Sequence, residues 1–422
     1  MARAFFLPLF VVCLLFGSSG CDTLTERNQV RQAVGHRYGV GSGQFRRALE
    51  AAAGAPFVPG NRVETLLNGD RIFPPMLAAI RRARRTVNLE MYIYQQGALA
   101  SAFSRALAER ARAGVKVRVI LDWIGSNLGR DERRQLADAG VELFFYHAPG
   151  WYDPRRLNNR THRKLLIVDG TEAFVGGADL ADPWLGDAQS PAHWRDTHYR
   201  VTGPVVAQLQ AAFLQNWTFA RGELLHDDAD FPSLRAAGGE TAQAFASSPG
   251  RGVPTARAVY LLAIAAAERR VLIENPYFIP DPLIGRELVE ARRRGVRVEI
   301  LVPSERRIDS PVVHRAGRSR WGPLLAAGVE FYQYRGTMLH CKLLVVDGQW
   351  SSVGSSNVDG RSFRFNDEAN MNVFGREFAA RQTAVFEMDK QRARHIRLED
   401  WKRRPWVEKL TTPIRDTFAE EL

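Results

Sequence analysis

The pattern His-x-Lys-x4-Asp occurs twice in this chain, and no other feature constrains the fold as strongly. One copy, HRKLLIVDG, begins at His162, and the other, HCKLLVVDG, begins at His340. With 9 His, 6 Lys and 22 Asp in 422 residues, about 0.007 copies are expected by chance. Two of the six lysines follow a motif histidine by two positions, although the chain has 52 Arg. This indicates that a compact ammonium group is needed there.

The segments around the two motifs also repeat in the same order. RAGVKVRVILD before the first motif matches RRGVRVEILVP before the second, and LADAGVELFFY matches LAAGVEFYQY. In each half, strand-like apolar segments alternate with segments of helical periodicity, which predicts an α/β fold. The period is far longer than that of a solenoid repeat, so we interpret the pattern as a domain duplication.

The domain boundaries follow from composition. We expect a first domain over 59–228 and a second over 240–422, separated by the polar, Gly- and Asp-rich stretch LHDDADFPSLRAAGGETAQ. Residues 21–58 carry weak signals and are expected to form a leader or linker.

The N-terminus predicts export. Residues 4–16 are apolar but too few to span a bilayer, which is typical of a signal peptide over 1–20. The following GSSGC resembles a bacterial lipoprotein cleavage site, with Cys21 as the lipidated residue and Asp22 resembling an inner-membrane retention signal. An uncleaved membrane anchor is the alternative, and both tether the chain to a membrane.

Charge and cysteine content limit the partners. The net charge of +12 favours an anionic partner such as nucleic acid, an anionic membrane or a phosphate-bearing substrate, although a solvated arginine-rich face is an alternative. Cys341 is the one cysteine after Cys21, so no disulfide within the body and no cysteine zinc cluster is expected. We expect no metal and no cofactor.

Each motif predicts a strand that positions candidate catalytic side chains. Residues two apart in a strand face the same side, so each His-Lys pair points one way, and LLIV or LLVV forms a strand buried on both faces. The Asp-Gly pairs then end the strands in turns. The candidate catalytic residues are His162, Lys164, Asp169, His340, Lys342 and Asp347.

Small residues follow each motif, as GGAD at 176–179 and GSSN at 354–357. Such turns let backbone N–H groups approach a phosphate, and Ser or Asn side chains add hydrogen-bond donors. The candidates for phosphate binding or orientation here are Gly177, Asp179, Ser355 and Asn357.

Paired about a pseudo-twofold axis, the halves bring two His and two Lys together. One imidazole could attack phosphorus while the other protonates the leaving oxygen and later activates the incoming hydroxyl. The lysines would stabilise charge on the non-bridging oxygens. A single copy would supply only one of the two imidazole roles, which explains the duplication.

These residues resemble the phospholipase D superfamily, with its paired His-x-Lys-x4-Asp motif followed by Gly-Gly/Ser-x-Asn. The second copy fits fully, whereas the first has Asp179 where Asn is usual. A carboxylate there would repel a phosphodiester unless protonated or turned away. The segments HWRDTHYRVTGPVV, ENPYFIPD and SFRFNDEANM resemble bacterial cardiolipin synthases in particular. Asp196 and Glu368 match the family's acidic residues that contact the catalytic histidines.

The resemblance implies two phospholipase D-like α/β/α sandwich domains with the active site at their interface. It implies synthesis of cardiolipin from phosphatidylglycerol, with His162 as nucleophile and His340 as general acid and base. Alternatives are a phospholipase D that uses water, a membrane-tethered nuclease and a non-enzymatic binding module. The expected partners are anionic phospholipid and a membrane surface, rather than nucleic acid or an obligate protein partner. The expected location is the periplasmic face of the bacterial inner membrane.

Overall fold

The computed structural model describes residues 30, 32–148, 159–248 and 255–405. The predicted signal peptide and Cys21 lie outside these residues. The described strands are β1 Val58–Leu67, β2 Thr86–Met91, β3 Lys116–Asp122, β4 Glu142–Tyr146, β5 Arg160–Thr161, β6 Leu165–Val168, β7 Glu172–Gly176, β8 Thr197–Thr202, β9 Glu240–Ser247, β10 Arg270–Glu274, β11 Arg297–Pro303, β12 Glu330–Tyr334, β13 Leu343–Val346, β14 Trp350–Gly354, β15 Asn366–Phe374 and β16 Ala393–Ile396.

Helices alternate with these strands, and a short 3-10 helix covers Asp182–Trp184. The described α-helices are α1 Gly43–Ala53, α2 Asn68–Arg82, α3 Ala98–Arg112, α4 Arg130–Asp138, α5 Val206–Arg221, α6 Thr255–Ala265, α7 Pro282–Arg293, α8 Pro311–Ser319, α9 Trp321–Ala326, α10 Gly360–Arg364, α11 Arg376–Gln391 and α12 Leu398–Lys402.

The strands form one mixed sheet that runs through both halves. Its order is β16-β12-β11-β10-β13-β14-β15-β9-β1-β8-β7-β6-β2-β3-β4, with β5 paired to β15 off this path. The order reads the same outward from the β1/β9 seam, where the two strands pair antiparallel. Thus β6 and β13, which carry the two motifs, occupy equivalent positions in the two halves. The predicted duplicated α/β fold with a pseudo-twofold axis is confirmed.

The sheet is covered by helices on both faces. Motif strands β6 and β13 are buried at every position, as their unbroken apolar sequences predict. On one face, a single apolar cluster spans both halves beneath α5 and α11. On the other face each half has its own cluster, under α2 and α3 in the first and under α6 and α7 in the second. This is the expected α/β/α sandwich, with one layer shared between the halves.

Part of the segment expected to be a leader or linker is folded. Helix α1 begins where the Ser42 hydroxyl accepts the N–H of Phe45 at 3.1 Å, and it ends at Gly54, whose φ is 66°. Phe45 is fully buried, with its ring edge-on to Trp350 at 5.7 Å. Only two residues of helix α1 are buried, so its apolar pattern is short. The sequence pattern therefore predicted no helix there.

The described residues contain no helix that is both long enough and apolar enough to cross a bilayer.

Candidate active site

The two motif histidines are held at the seam by hydrogen bonds that cross between the halves. The His162 N–H donates to the carbonyl of Asp367 at 2.8 Å, and the His340 N–H donates to the carbonyl of Arg195 at 2.7 Å. Both histidines lie just before their buried strands rather than inside them, because β6 begins at Leu165 and β13 at Leu343. Each histidine therefore depends on the other half for its backbone position.

The carboxylates that contact the two histidine side chains also come from the opposite half. Nδ1 of His162 lies 3.0 Å from Glu368 Oε2, and Nδ1 of His340 lies 2.8 Å from Asp196 Oδ2. A carboxylate at Nδ1 fixes the tautomer and leaves Nε2 as the basic nitrogen. Asp196 and Glu368 thus each contact the histidine of the opposite half, and their role in orienting these histidines stays a prediction.

The two lysines are fully buried beside their histidines. Lys164 Nζ donates to the carbonyl of His162 at 2.9 Å and lies 3.3 Å from Asp179 Oδ2. Lys342 Nζ donates to the carbonyl of His340 at 2.6 Å and lies 2.8 Å from its Nδ1. The structure therefore brings both predicted His-Lys pairs to one place.

The small residues after the motifs support the carboxylates rather than open toward a phosphate. The Gly177 N–H is donated to the carbonyl of Thr197, and a Cβ at Gly177 would lie 2.2 Å from Asp196 Oδ1. The Ser355 hydroxyl donates to Glu368 and accepts the N–H of Ala369. These contacts fit the orienting role among the predicted roles of Gly177 and Ser355, and their phosphate binding stays a prediction.

Asp179 and Asn357 occupy equivalent places but differ in their bonding. The Asp179 carboxylate accepts the Ile93 N–H at 3.0 Å and pairs with Lys164, so it is turned toward the lysine. Burial raises its pKa. Asn357 lines the cavity, and its buried Oδ1 has no hydrogen-bond partner among the described residues. Asn357 is thus the candidate with an unused polar atom at the cavity.

The motif aspartates are not at the site. The Asp169 carboxylate accepts the backbone N–H groups of Arg84, Arg85 and Thr86 at the start of β2. Asp347 does the same for the start of β10. Both have positive φ, 51° and 56°, followed by glycines with positive φ, as expected for an Asp-Gly hairpin turn. The structure separates them from the histidines by the length of β6 and β13, so their predicted catalytic role is not supported.

The electrostatics of the two histidines differ. Burial lowers the pKa of His340 to about 4, and burial with Lys164 and Lys342 places the pKa of His162 well below 6.5. Burial acts to raise the pKa of Asp196, but His340, Lys342 and the Trp184 N–H together outweigh it, and the pKa is lowered. By contrast, burial raises the pKa of Glu368 to about 8. Asp196 is thus ionised at neutral pH, whereas burial opposes the ionisation of Glu368.

A cavity of about 250 Å³ opens over both histidines. Trp184, Trp194 and Tyr277 pack around His340, with ring centroids 5.3, 5.6 and 6.3 Å from the imidazole. The Trp184 indole also donates to Asp196 Oδ2 at 2.8 Å. Sequence reasoning missed the cavity residues Tyr92, Arg160, Trp184 and Arg361, because no local pattern distinguishes them from ordinary core or surface positions.

One further cluster of buried side chains has the residue types of a metal site. Ligand atoms of Glu274, Cys341 and Asp389 lie within 4.8 Å of one another. Arg195 contacts Asp389 at 2.7 Å and already supplies positive charge there. Burial, followed by Asp389, raises the pKa of Glu274 to about 8. The donor set therefore fits an arginine–carboxylate network better than an ion site.

Comparison with known families agrees with this geometry. The sequence profile described as "Cardiolipin synthase, PLD-like domain" matches residues 76–217 and 260–390, one segment in each half. The chain belongs to this family. The matched segments lie within the two predicted domains, whose outer boundaries remain predictions.

Relatives in this cardiolipin synthase family cover most of the chain. Cardiolipin synthase A of Pseudomonas putida is 36% identical over 356 residues, covering 84% of this chain and 73% of the relative. Cardiolipin synthase A of Pseudomonas syringae is 33% identical over 420 residues, covering 94% and 86%.

Solved structures share the fold at much lower identity. Phosphatidylserine synthase from Haemophilus influenzae matches with a TM-score of 0.71 at 14% identity, covering 90% of this chain and all of that one. Polyphosphate kinase from Porphyromonas gingivalis matches with a TM-score of 0.56 at 10% identity, covering 84% and 53%. At these identities the likeness supports the fold alone.

Proposed function

We propose that this protein is a phosphatidyltransferase that makes cardiolipin from two molecules of phosphatidylglycerol. The observation that carries the proposal is the pair of histidines at one cavity, each held at Nδ1 by a carboxylate of the opposite half. Similarity to two cardiolipin synthases over 84% and 94% of the chain supports the choice of substrate. The lysines beneath the cavity suit the negative charge of a phosphodiester in the transition state.

The surroundings of the two histidines support different roles for them. An ionised Asp196 stabilises a positive imidazolium, so His340 acts as general acid and base. With Glu368 at Nδ1, Nε2 is the basic nitrogen of His162, and burial with the lysine charges keeps this imidazole neutral, so His162 serves as the nucleophile. Binding of an anionic phosphodiester beside His340 offsets the lysine charges and favours the protonated acid.

The reaction proceeds in two displacements. Nε2 of His162 forms a bond to phosphorus as the bond to the glycerol oxygen breaks, and His340 donates its proton to that oxygen. Glycerol leaves, and His340 then takes the proton from the hydroxyl of a second phosphatidylglycerol. That hydroxyl oxygen attacks phosphorus, the phosphorus–histidine bond breaks, and cardiolipin is released with both histidines in their starting states.

The same protein is proposed to act at an anionic membrane surface. Trp123 and Ile124, each 43% exposed, directly follow Asp122, whose carboxylate accepts the N–H of Thr161 next to His162. Val312, 59% exposed, precedes the cavity residue Val313. Apolar side chains beside the site can enter the interface while the net charge of +12 attracts anionic lipid. Attachment through Cys21 and a position on the periplasmic face of the inner membrane complete this proposal.

The test uses purified protein in mixed micelles with labelled phosphatidylglycerol, with and without added alcohols, and products resolved by mass. His340→Ala is compared with His395→Ala, which removes an exposed histidine from β16. Cardiolipin and glycerol are expected from the wild type and from His395→Ala but not from His340→Ala. Phosphatidic acid as the sole product would instead identify a hydrolase. Absence of lipid turnover would refute both lipid activities and direct the assay to nucleic acid.

A further inference from the structure

The cavity is not symmetric, although the histidines and lysines are. Arg160 stands two residues before His162, where the second half has Met338 two residues before His340. Arg361 stands four residues after Asn357, where the first half has Pro183 four residues after Asp179. Both arginines line the cavity, and neither has a charged counterpart in the other half. A symmetric pair of His-Lys groups serves the reacting phosphate, so this asymmetric pair indicates a ligand group that is present once.

The two arginines lie close together at the His162 side. Arg160 donates to the Tyr92 hydroxyl at 3.0 Å, and the Tyr92 ring centroid is 5.1 Å from that of His162. The buried Arg160 Nε has no hydrogen-bond partner among the described residues. Burial and then the charge of Arg160 lower the pKa of Arg361. Two guanidinium groups that repel each other in a cavity form a site for an anion.

Two carboxyl groups, those of Asp122 and Asp359, lie near this pair and attract it. Asp122 accepts the N–H groups of Ile124, Gly125 and Thr161, and Asp359 accepts the N–H of Ser362. Burial raises the pKa of Asp122 to about 6 and that of Asp359 to about 7. Both carboxyl groups therefore share their charge between these backbone N–H groups and the arginines.

The second displacement requires a second cationic binding site. One phosphate is bonded to His162, above Lys164 and Lys342. The incoming lipid alcohol carries its own phosphodiester, which only one glycerol unit separates from the attacking hydroxyl. The cavity of about 250 Å³ must therefore hold two negative charges side by side. Water and simple alcohols carry no such charge, so this demand is specific to a phospholipid acceptor.

We propose that Arg160 and Arg361 bind the phosphodiester of the acceptor lipid and so direct the intermediate toward a phospholipid rather than toward water. This specificity site rests on the proposed transferase function. It differs from the lysine site in that it does not touch the reacting phosphorus. Guanidinium groups suit it because they bind two phosphate oxygens at once.

The experiment compares acceptors in one assay. Arg160→Gln and Arg361→Gln are given labelled phosphatidylglycerol in micelles, and cardiolipin, phosphatidic acid and phosphatidylethanol are measured with and without ethanol. Loss of one charge-assisted contact is expected to raise the acceptor KM and lower cardiolipin formation roughly 10- to 100-fold. Transfer to water and ethanol from the same donor is expected to stay within about threefold. Arg160→Lys and Arg361→Lys keep the charge and are expected to recover part of the cardiolipin.

The controls separate this proposal from folding and from the transferase function. Arg293→Gln removes a charge from a side chain that is 69% exposed on α7 and should leave the product ratio unchanged. Equal loss of all products in the Gln variants, with normal thermal unfolding, would place the arginines on the donor and overturn the proposal. An unchanged product ratio would overturn it too. Wild-type protein that makes no cardiolipin would refute the transferase function itself.

Discussion

Replacing Asp169 by Asn tests whether the motif aspartate stabilises the fold or takes part in the chemistry. Its Oδ1 accepts the N–H groups of Arg85 at 2.7 Å and Thr86 at 3.0 Å, and its Oδ2 accepts the N–H of Arg84 at 3.0 Å. Asn also tolerates the left-handed backbone at this position, so the change isolates the carboxylate. The five residues from Lys164 to Asp169 place the carboxylate roughly 15 Å from the lysine.

The magnitude follows from the hydrogen bonds. Bonds to a charged acceptor contribute about 1.5–3 kcal/mol each and neutral ones about 0.5–1.5 kcal/mol. Asn keeps one neutral acceptor and turns its NH2 group toward the N–H of Arg84. The expected loss in the free energy of unfolding is about 3 kcal/mol, discounted toward about 2 kcal/mol because Arg84 and Arg85 are exposed at the surface.

The assay is urea unfolding together with kcat measured on folded protein at low temperature. Asp169→Asn should shift the urea midpoint while kcat stays within about threefold of wild type. Asp347→Asn should behave alike, because Asp347 accepts the corresponding N–H groups in the second half. Asp138→Asn, which changes an exposed residue of α4, is the matched control. Normal stability combined with lost turnover would refute a purely structural role.

Three further predictions concern the site and its protonation. Asp196→Asn should lower kcat on the order of 1,000-fold with an unchanged circular dichroism spectrum, because His340 loses its ionised partner; a near-wild-type kcat would contradict this. Gly177→Ala should lower kcat more than about tenfold by displacing the Asp196 carboxylate, whereas Gly285→Ala has no neighbour within 4 Å; equal activity would contradict the packing argument. Burial lowers the pKa of His314 to about 4, so the unfolded chain takes up a proton that the folded chain does not as pH falls from about 6.5 to 4. As pH falls across this range, the free energy of unfolding of His314→Asn should decrease by up to about 3 kcal/mol less than that of the wild type. An unchanged pH slope would refute the buried neutral state of His314.

Periodicity and repetition predicted the elements that carry strong local signals. The runs LLIV and LLVV became buried strands, and the Asp-Gly pairs became hairpin turns with positive φ. The duplicated order of elements also predicted the pseudo-twofold sheet. These features depend on neighbouring residues, whose spacing the sequence displays directly.

Other features depend on contacts between distant residues. Nothing near His162 indicates that its carboxylate lies 206 residues away in the other half, although family resemblance pointed to the residue itself. No local pattern distinguishes the cavity residues Arg160 and Arg361 within the 52 arginines of the chain. Gly177 and Ser355 were expected to bind or orient a phosphate, but the sequence does not show that they contact the carboxylates of Asp196 and Glu368.

The crossed carboxylates make activity depend on completion of folding. A nascent chain that has emerged only through α5 holds His162 but lacks Glu368, and its Asp196 has no His340 to orient. Such a chain cannot assemble an oriented imidazole pair, however well its own strands have paired. Only when the second half docks along the β1/β9 seam do both histidines acquire their partners. A phosphatidyltransferase built in this way stays inactive until both halves have been synthesised and have folded together.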